Sequence, residues 1–328
     1  MIKLRVQSER WPLRGEFRIS RESFTYSIMV TVEIHDGEHV GRGECEPHES
    51  DLTAIGPVMA SICALEHDLE RGLTREQLAT RLPAGPARNA IDCALWDLEA
   101  KRSGKRVWEL AQVATREQVE TAFTVGIDSP EAMAAKAVEF AQARLIKIKL
   151  GGQDSVDLER VRAIRQARPD ARLIVDANGG WTLPRLAQLA PELAQLQVKL
   201  IEQPLPPGQD DGLEGYRSPV PLCADESCLD RGSLPHVRGR YQYINIKLDK
   251  TGGLTEALAL ARAARTDRIG IMVGCMVGTS LAMGPAMLIA QLAEFVDLDG
   301  PVLLAEDRPA GLVYESGQVS LPRRELWG

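Results

Sequence analysis

The chain has 328 residues, 44% of them hydrophobic, with a formal net charge of −7 and a pI near 5.5. That is enough to bury a large core, in one large domain or in a barrel with a smaller companion. The acidic balance without a long basic run argues against a nucleic-acid partner, and no apolar run is long enough to span a bilayer.

In chain order, Met1-Ile2-Lys3-Leu4-Arg5 lacks the apolar stretch of a signal peptide. The six cysteines are scattered without a Cys-x-x-Cys, so free thiols in a reducing cytoplasm are expected. Cys275 has no histidine near it in sequence and is a poor candidate nucleophile. Residues 1 to about 50 read as strands: a third strand or loop edge over 12–20, an apolar β-branched run over 27–34, a turn at His35-Asp36-Gly37, and a return strand over 40–45. The spacing of apolar residues then predicts helices over 51–69, 74–82 and 86–102, the last with Pro86 near its start and Gly104 past its end. Residues 1–115 therefore form an α+β domain.

Beyond about residue 117, eight short apolar runs recur over 121–127, 145–150, 173–178, 198–203, 222–226, 243–248, 270–276 and 296–299. Helical stretches such as 130–143, 156–168, 184–196 and 254–266 lie between them. Eight strands and seven crossovers favour an α/β fold, a modified TIM barrel of the (β/α)7β kind over 116–304. An open doubly wound sheet is second choice, because no G-x-G-x-x-G follows the first strand. The proline-bearing tail, 305–328, is expected to pack back and complete the first domain.

Charged residues end these apolar runs. In Leu145-Ile146-Lys147-Ile148-Lys149-Leu150, strand alternation sends both lysines to one face. Asp176, Glu202, Asp225 and Lys247 follow at spacings of 22 to 27 residues from Lys149 onward, one strand-to-strand unit each. They recur at the mouth where barrels place their sites. Three carboxylates together repel and call for a cation, and oxygen donors suit Mg²⁺ or Mn²⁺ rather than zinc. Lys149 and Lys247 come from opposite sides of the ring, so one could remove a proton from one face of a substrate and the other return it. Lys147 and the metal would hold negative charge that builds when a proton leaves carbon beside a carboxylate; a lysine base with Mg²⁺ stabilising an ene-diolate is the general scheme of enolase-superfamily sites.

The ordered set Lys147-Ile148-Lys149, Asp176-Ala177-Asn178, Glu202-Gln203-Pro204, Asp225-Glu226-Ser227 and Asn245-Ile246-Lys247 resembles the muconate-lactonizing branch of the enolase superfamily. So does Arg88-Asn89-Ala90-Ile91-Asp92-Cys93-Ala94-Leu95-Trp96-Asp97-Leu98 in the first domain. Within the branch, Asp297-Leu298-Asp299 on the eighth strand is most like dipeptide epimerases of the L-Ala-D/L-Glu type. The resemblance implies Mg²⁺ on Asp176, Glu202 and Asp225, acid/base lysines at Lys149 and Lys247, and Lys147 neutralising the enediolate. It places the substrate ammonium on Asp297 and Asp299 and a substrate carboxylate near Thr124, with Asn178 and Glu226 orienting a lysine or ligand.

The first domain, which caps the site in this family, departs from the pattern. Phe24 stands in Ile19-Ser20-Arg21-Glu22-Ser23-Phe24 where relatives often carry an arginine, and the loop Glu46-Pro47-His48-Glu49-Ser50 is short. Phe24 cannot pair with an acidic side chain as arginine does, so another dipeptide, or an N-acyl amino acid such as N-acetylglutamate, is an alternative substrate. Arg14, Arg18 or Arg21 could replace the missing cation. The only histidine after His67 is His236, which disfavours relatives with a histidine base late in the barrel. Other lysine-pair chemistries remain: N-acylamino acid racemase, cycloisomerase or o-succinylbenzoate synthase. A Schiff-base aldolase would leave the carboxylate trio unexplained. The expected partner is a small molecule, and self-association is left open.

Overall fold

An antiparallel sheet opens the chain: β1 (Lys3–Arg18), β2 (Ser23–His35) and β3 (Val40–Cys45), in the order β1-β2-β3. The structure, a computed structural model, describes residues 2–20, 23–47, 52–151 and 155–328. Arg21 and the His48-Glu49-Ser50 part of the short loop lie outside the described residues. β1 is far longer than the 12–20 stretch predicted for it. Its first half sets Leu4 and Val6 among charged and polar residues at a half-exposed sheet edge, so it carries no continuous apolar run. The predicted helix over 51–69 is divided, with Ile55–Cys63 separated from Glu66–Glu70 at Ala64-Leu65.

The helix Pro86–Ser103 starts with proline and stops at Gly104, whose φ is 70°. It lies directly on β3. A Cβ on Gly41 or Gly43 would sit 2.1 Å from the Ala94 carbonyl or 2.0 Å from that of Ala90, so only glycine allows the contact. Ile91, Ala94 and Leu98 then share a core with Val30, Val32 and Ile34.

After β4 (Gln118–Glu120), eight parallel strands neighbour one another in chain order: β5 (Ala122–Val125), β6 (Leu145–Lys149), β7 (Arg172–Asp176), β8 (Val198–Glu202), β9 (Leu222–Ala224), β10 (Tyr243–Ile246), β11 (Gly270–Val273) and β12 (Phe295–Val296). All eight predicted strands are present. Two crossovers lack the long helix that a regular unit would carry: Asp211–Leu213 precedes β9, while Arg231–Ser233 and Leu234–Val237 precede β10. Side chains bridge the first and last strands. The Leu298 amide donates to Thr121 Oγ1 at 3.0 Å and the Thr124 amide to Asp299 Oδ2 at 2.6 Å. The sheet thus curls to near closure.

Alternation divides the strands into two faces. Ile146, Ile148, Val175, Ile201, Ile246 and Val273 face the surrounding helices in the main core. The inner face begins with a separate apolar plug of Ala122, Leu145, Ile174, Leu200, Cys223, Met272 and Phe295. Two residues further along most of these strands the inner face turns polar: Thr124, Lys147, Asp176, Glu202, Asp225 and Asp297. The plug closes one end of the barrel and leaves the chemistry at the other.

β13 (Tyr314–Glu315) and β14 (Gln318–Ser320) form a small sheet with β4. The tail ends against the capping helix, where Trp327, fully buried, donates from Nε1 to the Cys93 carbonyl at 3.1 Å. Among the described residues, no helix is long and apolar enough to cross a membrane.

Candidate active site

A cavity of about 460 Å³ opens at the C-terminal ends of the strands. Its floor and walls include Thr124, Lys147, Lys149, Asp225, Lys247, Asp297 and Asp299, and the capping domain adds Phe17, Ile19, Ser20, Glu46 and Pro47. Asp176 and Glu202 do not line it. They lie deeper, 0% and 1% exposed, beneath the lysines. Neighbouring strands bring the acids together: Asp176 is in register with Glu202, and Asp225 follows Cys223, the register partner of Glu202.

The lysines carry the countercharge. Lys147 Nζ lies 3.0 Å from Asp176 Oδ2, 2.7 Å from Glu202 Oε2 and 2.8 Å from Asp297 Oδ2. Burial alone would lower its pKa, but Asp297, Glu202, Asp176 and Asp225 outweigh burial and hold the ammonium well above the ordinary lysine value. Lys147 is therefore a fixed positive charge. Lys149 Nζ contacts Asp176 Oδ2 at 2.8 Å and Asn178 Oδ1 at 3.2 Å, and Lys247 Nζ contacts Asp225 Oδ2 at 2.8 Å.

Burial pushes each acid upward, and the lysines decide the outcome. Against burial, Lys149 and Lys147 draw Asp176 down to about 2. Burial, with the Asp176 charge beside it, lifts Glu202 to about 7. For Asp225 burial is overcome by Lys247 and Lys250, and its carboxyl lies far below the usual range. Three buried oxygen-donor acids, one of them reluctant to ionise, fit a hard divalent cation. Among the described residues Glu202 Oε2 receives no hydrogen bond, and Lys147 Nζ lies 2.7 Å from it. A different close-set group, Asp210, Asp211 and His236, has its ligand-type atoms within 4.8 Å of one another. Its atoms are already engaged: Asp210 accepts from Ser227 at 2.6 Å and Tyr241 at 2.7 Å, and Asp211 pairs with Arg240.

The eighth strand ends at Val296, so Asp297 and Asp299 project from the turn beyond it rather than from the strand predicted over 296–299. Thr124 donates from its hydroxyl to Asp297 at 3.3 Å and from its amide to Asp299 at 2.6 Å, and it lines the cavity between them. Burial and the neighbouring Asp297 raise Asp299 to about 7. Two buried acids that resist joint ionisation suit a cationic group. Asn178, at φ 44°, supports both Asp176, through its backbone N–H, and Lys149. Glu226 reaches the cavity, and burial, then the Asp225 and Asp176 charges, raises its pKa. Phe24 does not line the cavity. It packs on Phe17, ring centroids 5.5 Å apart, and Phe17 forms the wall.

Sequence reasoning missed several supports. Lys250 Nζ contacts Asp225 Oδ1 at 2.6 Å and the carbonyls of Asn245 and Cys228. Asn245 Nδ2 donates to Glu202 Oε1 at 2.7 Å. Gln203, at φ 33°, accepts the amide hydrogens of Asp225 and Ser227. Asn245 was within reach of the alternation argument, two residues before Lys247 on the same strand face. Lys250 lies in the turn past the strand, where alternation says nothing.

Comparison with known proteins places these features in a family. The family model of the mandelate racemase / muconate lactonizing enzyme N-terminal domain matches residues 1–111, and that of the enolase C-terminal domain-like family matches residues 131–325. The chain is 46% identical to the L-Ala-D/L-Glu epimerase of Escherichia coli K12, over 98% of this chain and 100% of that one. It is 44% identical to the N-acetyl-D-glutamate racemase of a Pseudoalteromonas species, over 92% and 95%. Among solved structures, an enolase family member from Agrobacterium tumefaciens with homology to dipeptide epimerases, holding sodium and L-Ala-L-Glu, superposes with a TM-score of 0.96, 48% identity and full coverage of both chains. A dipeptide epimerase from Enterococcus faecalis complexed with Mg and L-Leu-L-Tyr superposes with a TM-score of 0.89 at 30% identity, over 98% and 97%.

Proposed function

Because the chain belongs to the mandelate racemase / muconate lactonizing enzyme family of the enolase superfamily, we propose that it is an isomerase that removes and returns the α-proton beside a carboxylate, acting on a dipeptide of the L-Ala-D/L-Glu kind. The observation that carries this reading is that Lys149, at the end of β6, and Lys247, just past the end of β10, belong to strands four apart in an eight-strand order and line one cavity together with Asp297 and Asp299.

The roles follow from position. Asp297 and Asp299 hold the ammonium of the dipeptide, and Thr124 keeps the two carboxylates side by side. Lys149 takes the α-proton from one face and Lys247 delivers one to the other, or the reverse for the opposite epimer. Lys147, held positive by its acids, offsets the second negative charge that forms on the substrate carboxylate. Asn178 keeps Lys149 aimed. Asp176, Glu202 and Asp225 would hold Mg²⁺, which when bound supplies positive charge beside the substrate carboxylate and makes the α-proton more acidic. Mn²⁺ offers the same donor preference. Six cysteines without a disulfide support a cytoplasmic setting.

The Pseudoalteromonas likeness favours one second reading, racemisation of an N-acyl amino acid such as N-acetylglutamate. Incubation with L,L-dipeptides and N-acyl amino acids in D₂O and Mg²⁺, followed by mass spectrometry, separates the two. Deuterium at the α-carbon of dipeptides supports the first, and deuterium only in N-acyl substrates replaces it with the second. No exchange in either class refutes both.

A further inference from the structure

The run Arg88-Asn89-Ala90-Ile91-Asp92 has no part in the chemistry above, yet Arg88, Asn89 and Asp92 are all buried. They open the capping-domain helix Pro86–Ser103, and each reaches into the segment that follows β10. Arg88 Nε donates to the Gly252 carbonyl at 3.1 Å, and its terminal nitrogen donates to that of Thr251 at 2.6 Å. Asn89 Nδ2 donates to Asp249 Oδ1 at 2.7 Å. Asp92 accepts from the Thr255 amide at 2.9 Å, one turn further on. The fit is tight: a Cβ on Gly252, at φ 75°, would lie 2.3 Å from Arg88 Nε.

The gripped segment is the helical turn Leu248–Thr251, and Lys247 is its N-cap. The Lys247 carbonyl accepts the amide hydrogens of Lys250 at 3.1 Å and Thr251 at 3.0 Å. The backbone of Lys247 is therefore locked to a turn that the other domain clamps at its middle and its end. Lys149 is built differently. It lies within β6, in register with Asp176 of β7, and its partners among the described residues are Asp176 and Asn178 of the barrel.

We propose that Arg88 and Asn89 are positioning residues for Lys247 alone, so that the capping domain sets the aim of one acid/base lysine while the barrel sets the other. This rests on reading Lys149 and Lys247 as the opposed acid/base pair. A lysine ends a flexible stem, and a misplacement of about 1 Å at a reacting centre can lower a rate roughly 100-fold. A clamp on one lysine predicts an asymmetry that general loosening of the fold does not.

The test is the initial loss of the α-proton from each epimer separately, by NMR in D₂O with Mg²⁺, using L-Ala-L-Glu and L-Ala-D-Glu and the full chain. Lys149→Ala and Lys247→Ala identify which lysine serves which epimer. In Asn89→Ala and Arg88→Lys, proton loss from the epimer served by Lys247 should fall by about 10- to 100-fold. Loss from the epimer served by Lys149 should change by less than about threefold. If Arg88→Lys does not fold, Asn89→Ala reads the same asymmetry by deleting the hydrogen bond to Asp249, together with those to the Glu44 carbonyl and from the Cys93 thiol. Equal slowing of both epimers, or of neither, in variants of an active protein overturns the assignment. A wild-type protein inert toward both epimers instead brings down the reading of the lysine pair, and the assignment with it.

Discussion

Asp299→Asn tests how the cavity recognises a free amine. Burial and Asp297 raise Asp299 from an ordinary 3.8 to about 7, so its lone ionised form is disfavoured by roughly 4 kcal/mol. An ammonium seated against Asp297 and Asp299 needs that proton gone. The sign follows: kcat/KM for a dipeptide should rise about tenfold per pH unit below about 7, a limb that reports a group of the free enzyme, and fall again above about 8 as the substrate's own ammonium loses its proton. Asparagine has no such proton to lose, so the Asp299 limb should vanish in the variant. Removing one partner of a buried, hydrogen-bonded charge pair costs about 2–5 kcal/mol, roughly 30- to 5,000-fold in kcat/KM at about pH 8. An N-acyl amino acid brings no ammonium and should lose less than about tenfold. The assay is kcat/KM against pH from about 5.5 to 9, for both substrate classes and both proteins. A limb that survives unchanged in the variant, or equal losses for both classes, would refute the amine grip.

Lys149→Ala and Lys247→Ala should each abolish epimerisation, with a loss of about 10²–10⁴-fold or more for removal of a positioned base. Each should still exchange the α-proton of one epimer, and full activity in either would end the two-base scheme. Treatment with EDTA should abolish activity and Mg²⁺ restore it, while Glu202→Gln should weaken Mg²⁺ binding by calorimetry; unchanged affinity would remove Glu202 from the ligand set. Stability should carry the mark of Asp92, which burial raises to about 6 despite its bonds to Thr255. A carboxyl with a raised folded-state pKa stabilises most below its unfolded value near 3.8, and that contribution, roughly 3 kcal/mol, is lost as pH climbs to about 6. Denaturant unfolding at pH 4.5 and 7 should therefore differ less in Asp92→Asn than in the wild-type protein; an equal difference would show that Asp92 does not carry this dependence.

The inner face of the barrel was legible without coordinates, because strand alternation has a period of two and the units repeat. Leu145, Lys147 and Lys149 must share a face, and Asp176, Glu202 and Asp225 must recur at one end of successive strands once the sheet is parallel. The caps of the helix Pro86–Ser103 were legible for the same kind of local reason. Tertiary structure alone decided which charges meet. Lys147 is shared among Asp176, Glu202 and Asp297, and the last is 150 residues away and adjacent only because the sheet curls round. Phe24 stands behind Phe17, Lys250 braces Asp225, and Arg88 and Asn89 hold the turn after Lys247. These contacts join turns and separate domains, which share no periodicity. Their partners are set by which chain ends the packed core brings side by side, and no spacing along the chain records that.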